Sequence, residues 1–211
     1  MPLSADRLTH AYAQSITFDD FVETSQHFTA EFRETYAGTQ LDDRDHAVLR
    51  GIRERIEVLA IVEDWCPDVV ANLPILARVA DETDKIRLHV LIRSEATRKV
   101  ADAYPFEGRS HIPTYVFHDH QGVELGVIVE RTDPIRERVN SFLESFFQTH
   151  PELNRETFPA GLTQELKSEI TQASLRLRRG LRDLERSSFV DAIAALVPAQ
   201  DSDPVSVPTV L

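Results

Sequence analysis

The segment Glu63-Asp64-Trp65-Cys66-Pro67-Asp68-Val69 holds the one cysteine of the 211-residue chain, and it is where covalent chemistry is spelled out. The β-branched, apolar run from Ile56 to Val62 precedes it and reads as a buried strand. An apolar stretch of helical spacing follows from Val70 to Ala80, interrupted by Pro74. The sulfur therefore stands where a strand hands over to a helix. A cysteine there faces unpaired backbone N–H groups and the positive end of the helix dipole, and both favour thiolate, the nucleophilic form. Pro67 suits the first helical position, because it has no N–H to lose and its φ is already helical. Asp68 complements the dipole, yet Glu63, Asp64 and Asp68 are also negative charges near the sulfur and oppose its ionisation. The sequence leaves the net direction open. Asp64 and Asp68 are thus candidate modulators of the thiol, or plain solvated acids of a helix start. This chemistry requires the sulfur to be accessible to water.

The histidines offer less. His111 adjoins Ile112-Pro113 and, if within reach of Cys66, would offset the nearby acids as an imidazolium. His118 and His120 alternate at one strand end, but no third residue is spaced to complete a metal site, and they read as a solvated hairpin end. His89 alternates opposite the apolar positions of its strand and reads as exposed or at an edge. No metal or other cofactor is expected.

Several elements must position these groups. Phe18, Phe21, Val22, Phe28 and Phe32 recur at helical spacing and predict a helix ended by Gly38. A second helix is predicted from about Asp42 to Arg55. Ile86–Ile92 alternates as a strand, Ser94 caps a helix running to Tyr104, and 105–110 reads as a loop. Thr114–Phe117 and 123–129 read as strands joined by the turn Asp119-His-Gln-Gly122. A helix follows from Thr132 to about Phe147, then a linker over 151–161. A long helical pattern runs from Thr163 to Leu196, with Gly180 as its weak point. The tail from 198 is rich in Pro, Ser and Asp and is expected to be disordered. The expected organisation is therefore an N-terminal helical extension over 1–55, a central domain over 56–150, a long C-terminal helix over 151–197 and the tail over 198–211.

Composition narrows the classes of function. Lys and Arg number 23 against 35 Asp and Glu, a formal net charge of −12. That balance opposes nucleic-acid binding and adhesion to an anionic membrane. One cysteine allows no internal disulfide and no dithiol cycle within the chain. No run of 18 uncharged apolar residues predicts a membrane span, and the N-terminus lacks a signal-peptide pattern, so the cytosol is the expected compartment. Arg176, Arg178, Arg179, Arg182 and Arg186 share the long helix. The plain reading is a solvated face paired with Asp183 and Glu185; the sharper one is docking onto the acidic body of this or a second chain. The apolar stripe of the same helix, which a small domain need not bury fully, predicts a homodimer.

The strand–Glu63-Asp-Trp-Cys66-Pro-Asp–helix motif, with Pro74 eight residues after the cysteine and Ile112-Pro113-Thr114 before a hairpin, resembles the thioredoxin superfamily. The likeness covers roughly residues 56 to 147. The phrase Glu-Asp-Trp-Cys-Pro-Asp followed by Asn72-Leu-Pro-Ile-Leu76 looks closest to a bacterial branch with a single active-site cysteine. The resemblance implies a three-layer α/β sandwich around a central mixed sheet, with helical extensions at both ends. It implies that Cys66 is the attacking cysteine and Trp65 its shielding aromatic. Pro67 and Ile112 then border the substrate, and Pro113 is the cis-proline. It also marks departures. Val69 stands in the place of the second cysteine and Ala60 in that of the buried acid, so disulfide reduction by two thiols of one chain cannot run. Two functions follow. One is a monothiol redox protein acting on a disulfide-bearing protein or a low-molecular-weight thiol, with an external resolving thiol. The other is a non-catalytic module that holds a partner peptide in the thioredoxin-like groove.

Overall fold

The computed structural model describes residues 3–151, 153 and 162–196. Four helices come first: α1 (Ala5–Gln14), α2 (Phe18–Thr24), α3 (Thr29–Gly38) and α4 (Asp43–Arg50). Then come β1 (Ile56–Val62), α5 (Pro67–Asp81), β2 (Ile86–Ile92) and the short α6 (Arg98–Ala101). Two hairpins follow, β3 (Pro105–Phe106) with β4 (Arg109–Ser110), and β5 (Thr114–Asp119) with β6 (Glu124–Val129). The chain continues through α7 (Asp133–Thr149), α8 (Gln164–Gly180) and α9 (Arg182–Leu196).

The four longer strands make one mixed sheet in the order β2-β1-β5-β6, with β1 parallel to β2 and antiparallel to β5. Strand β1 is apolar on both faces because both are covered. Ile56, Val58, Ala60 and Val62 join a core with Phe21, Phe32, α5 and Phe189 of α9, whereas Leu59 and Ile61 pack with Ala11 of α1 and Val100 of α6. This is a three-layer α/β sandwich.

The structure corrects several expectations. The apolar spacing begins at Phe18, so α1 is not legible as a separate helix. The single helix predicted through Gly38 is two, broken where Phe28 adopts a left-handed φ of 56°. The break is tolerated because Asp64 accepts the freed N–H groups of Gln26 (2.7 Å) and His27 (3.2 Å). The next helix stops at Arg50, short of the predicted Arg55; its start is fixed by a capping box between Asp42 and Asp45. The loop 105–110 holds the β3–β4 hairpin, its turn made by Glu107 (φ 50°) and Gly108 (φ 78°). The long C-terminal helix is broken at Leu181, just after Gly180. Most of the expected linker 151–161, and the tail from 198, lie outside the described residues.

His118 is not at a solvated end. It is 2 % exposed and bonded to the Tyr12 hydroxyl at 3.0 Å, because α1 covers that part of the sheet, while His120 is exposed. The arginine run divides: Arg176 and Arg179 are exposed, and Arg178 and Arg186 pair with Glu185 and Asp183, but the run also reaches acids outside its own helices. Arg179 meets Glu34 at 2.9 Å, Arg186 meets Asp42 and Asp45 at 2.9 and 2.7 Å, and Arg178 is buried. The acidic body they dock onto is their own chain. The apolar side of α9 is spent internally, with Phe189, Val190 and Ile193 fully buried, whereas of the stripe Leu166, Ile170, Ala173, Leu177, Leu181 and Leu184 only Ile170 is buried. Among the described residues, no helix is long and apolar enough to cross a membrane.

Candidate functional site around Cys66

Strand pairing assembles the site. Because β1 and β5 run antiparallel with Ile61 opposite Thr114, the turn leaving β1 and the loop entering β5 emerge at the same edge of the sheet. Cys66 occupies the N-cap of α5 in an extended conformation (φ −83°, ψ 121°), followed by Pro67 in the first turn. The Ile112–Pro113 peptide bond is cis. The Cys66 thiol donates to the Ile112 carbonyl at 3.6 Å.

The sulfur is less open to water than expected, though it is not sealed off. Cys66 is 7 % exposed, and it forms part of the floor of a cleft of about 900 Å³. Burial pushes its pKa up to about 12, and the negative Asp68 adds to this; the N–H groups of Val69 and Asp68 and the charge of Arg131 pull the other way without prevailing. The balance left open by the sequence thus falls on the side of the thiol.

Asp68 belongs to a buried charge network. Burial opposes its ionisation, but Arg131 and Arg178 outweigh that and hold its carboxyl down at about 2. Arg131 Nε lies 3.0 Å from Asp68 Oδ1. Arg178 reaches the same oxygen and also donates through Nε to Glu185 at 3.0 Å. Asp64 faces elsewhere. Its burial would raise its pKa, yet the N–H groups of Gln26 and His27 hold it below the usual carboxylate range. Its partners are the α2–α3 break, and no bond joins it to the thiol.

Trp65 is 49 % exposed on the cleft wall, its indole N–H donated to Glu63. His111 also lines the cleft, with Nδ1 2.8 Å from Glu130, and its Nε2 is buried with no partner. Among the described residues no three His, Cys, Asp or Glu side chains converge as metal ligands.

Four contributing residues escape a reading of the sequence. Arg131 and Glu130 carry no local signal for a role beside Cys66, and Arg178 shows only as one of a run of arginines, since Asp68 lies 63 and 110 positions from the two arginines and His111 19 from Glu130. Asn72 does carry one, as a lone amide in the apolar stretch of α5. It is fully buried, donates to the Glu130 carbonyl at 2.7 Å and accepts from the Tyr115 hydroxyl, tying α5 to β5 and to the end of β6. Ala60 pairs with Tyr115 across β1 and β5, and Val69 is fully buried in the core.

Comparison with known proteins agrees with this architecture. A family model described as thioredoxin matches residues 15–145. The crystal structure of an HIV epitope scaffold superposes with a TM-score of 0.58 at 18 % identity, covering 89 % of this chain and 95 % of that one. A protein of unknown function from Pseudomonas aeruginosa superposes with a TM-score of 0.57 at 19 % identity over the same shares. At these identities the likeness speaks for the fold alone. No curated protein matches the chain.

Proposed function

The chain belongs to the thioredoxin family, and from that premise we propose that it is a non-catalytic binding module, holding an extended stretch of a partner polypeptide in the cleft over Cys66 and Ile112. The observation that carries this reading is the state of the sulfur. It is buried, it donates a hydrogen bond to Ile112, and its pKa of about 12 keeps it protonated at neutral pH. A thiol is a poor nucleophile compared with its thiolate. With one cysteine in the chain, Val69 and Ala60 in the places of the family's second thiol and buried acid complete the departure. The cleft itself is large and partly apolar, as ligand sites are. Iodoacetamide alkylation tests the reading. Cys66 is expected to react more than tenfold slower than free cysteine at about pH 8, and Cys66→Ser is expected to keep its partner. Alkylation as fast as free cysteine would overturn it.

The second reading, monothiol exchange in a bacterial cytosol, is favoured by the position of Cys66 at the head of α5, where the N–H groups of Val69 and Asp68 and the charge of Arg131 pull the thiol toward ionisation. In that chemistry the Cys66 thiolate attacks a disulfide, one partner sulfur leaves as thiolate, and an external thiol later cleaves the mixed disulfide at Cys66. Oxidised glutathione is the probe. A mass increase of one glutathione, reversed by excess thiol, would support it, and an unmodified chain would remove it.

A further inference from the structure

We propose that the cleft selects by charge: its occupant is an acidic peptide segment that also carries apolar side chains, with Arg109 and Lys167 receiving its carboxylates. The proposal deepens the binding-module reading and rests on it.

The chain as a whole has a net charge of −12. The cleft inverts that sign. Its charged lining is Arg93, Arg109, Arg131 and Lys167 against Asp68 and Glu130. Both acids are already committed. Asp68 is held by Arg131 and Arg178, and Glu130 faces His111 at 2.8 Å, Arg131 at 3.4 Å and Arg136 at 3.9 Å. Arg93 is spent on Glu63. Arg109, on β4, and Lys167, on α8, make no ion pair among the described residues, so the cleft carries uncompensated positive charge on two separate elements. Between them lie apolar side chains, Phe142, Leu143 and Ile170 among them. Charge with apolar surface fits an amphipathic anion.

Ile112, beside the cis Ile112–Pro113 bond, lines the same cleft as Arg109 and Lys167, and on the binding-module reading the occupant there is a polypeptide, not a simple acyl acid.

The test is calorimetric titration of the full chain with acetyl-Glu-Leu-Glu-Phe-Glu-amide, its Gln counterpart acetyl-Gln-Leu-Gln-Phe-Gln-amide, and decanoate. Trp65, the one tryptophan and part of the cleft wall, reports by fluorescence whether binding occurs there. The Glu peptide is expected to bind roughly tenfold tighter than the Gln peptide, from two partly exposed ion pairs, and to shift Trp65 emission. The double variant Arg109→Glu with Lys167→Glu, both exposed and without an ion pair among the described residues, is expected to lose that preference with unchanged circular dichroism. Equal binding of the two peptides would overturn the charge inference and leave the binding module standing. Decanoate binding without peptide binding would make the occupant an acyl acid and overturn it as well. Glu-peptide binding that leaves Trp65 emission unmoved, or that the double variant retains in full, would place the peptide elsewhere and overturn it too. No binding by either peptide would count against both readings.

Discussion

Arg178 of α8 and Asp68 in the first turn of α5 form an ion pair across 110 positions of sequence, and through it the C-terminal helices become part of the thiol's surroundings. The same guanidinium holds Glu185, so one arginine, 2 % exposed, compensates two carboxylates. Truncating it strands Glu185 and leaves Asp68 to Arg131 alone. Arg178→Ala is expected to lower unfolding stability by about 3–5 kcal/mol, the cost of uncompensated buried charge. Urea titration measures this; a loss below about 1 kcal/mol would mean the network is solvated.

Acid titration isolates Asp68. Its folded pKa of about 2 lies below the ordinary aspartate value. The unfolded chain therefore binds the extra proton as pH falls. The stabilisation is present above about pH 4 and is lost as pH drops toward 2, a contribution of about 2 kcal/mol. Asp68→Asn is expected to flatten this limb of the stability curve, followed by denaturant midpoints at each pH.

Cys66 has the opposite sign. Its folded pKa, about 12, exceeds that of a free thiol, so the folded state retains the proton longer. Its contribution is complete below about pH 8.5 and declines as pH rises toward 12. Cys66→Ala is expected to remove part of the alkaline slope relative to the parent chain. A difference curve that is flat across that window would contradict a buried, protonated sulfur.

Asp64 and Asp68 are separable by one readout. Asp68→Asn removes a negative charge beside the sulfur and is expected to move the pH midpoint of Cys66 alkylation downward. Asp64→Ala is expected to leave that midpoint alone. It costs about 1.5–3 kcal/mol of stability instead, because the N–H groups of Gln26 and His27 lose a charged acceptor.

Asn72→Ala removes partners from the Tyr115 hydroxyl and the Glu130 carbonyl. The expected loss is about 2–3 kcal/mol, since a buried polar group left alone forfeits its solvation. A thermal melt checks it. An unchanged melt would mean water replaces the amide.

The local pattern of residues carries a good part of this protein. The β-branched apolar run Ile56–Val62 marks a strand covered on both faces, and the alternation in Ile86–Ile92 marks one whose successive side chains point to opposite faces. Pro67 after Cys66 marks the start of α5 because a helix's first turn has a place for a residue without N–H. What failed locally was decided at a distance. The run from Phe18 to Gly38 has the periodicity of one helix, and it breaks because Asp64, nearly forty residues on, accepts the freed N–H groups.

The surroundings of Cys66 follow the same division. Residue types and order determine that a lone cysteine heads a helix and that Ile112-Pro113 precedes a hairpin. Whether the sulfur ionises depends on burial, on the Ile112 carbonyl, on Arg131 and on the charge of Asp68, which Arg178 in turn holds. Desolvation and Coulomb interactions depend on distance in space, and positions 66, 68, 112, 131 and 178 become neighbours only when the sheet closes and α8 packs against α5. The sequence names the chemical groups; the tertiary structure alone sets the protonation of the thiol and gathers the charges of the cleft above it.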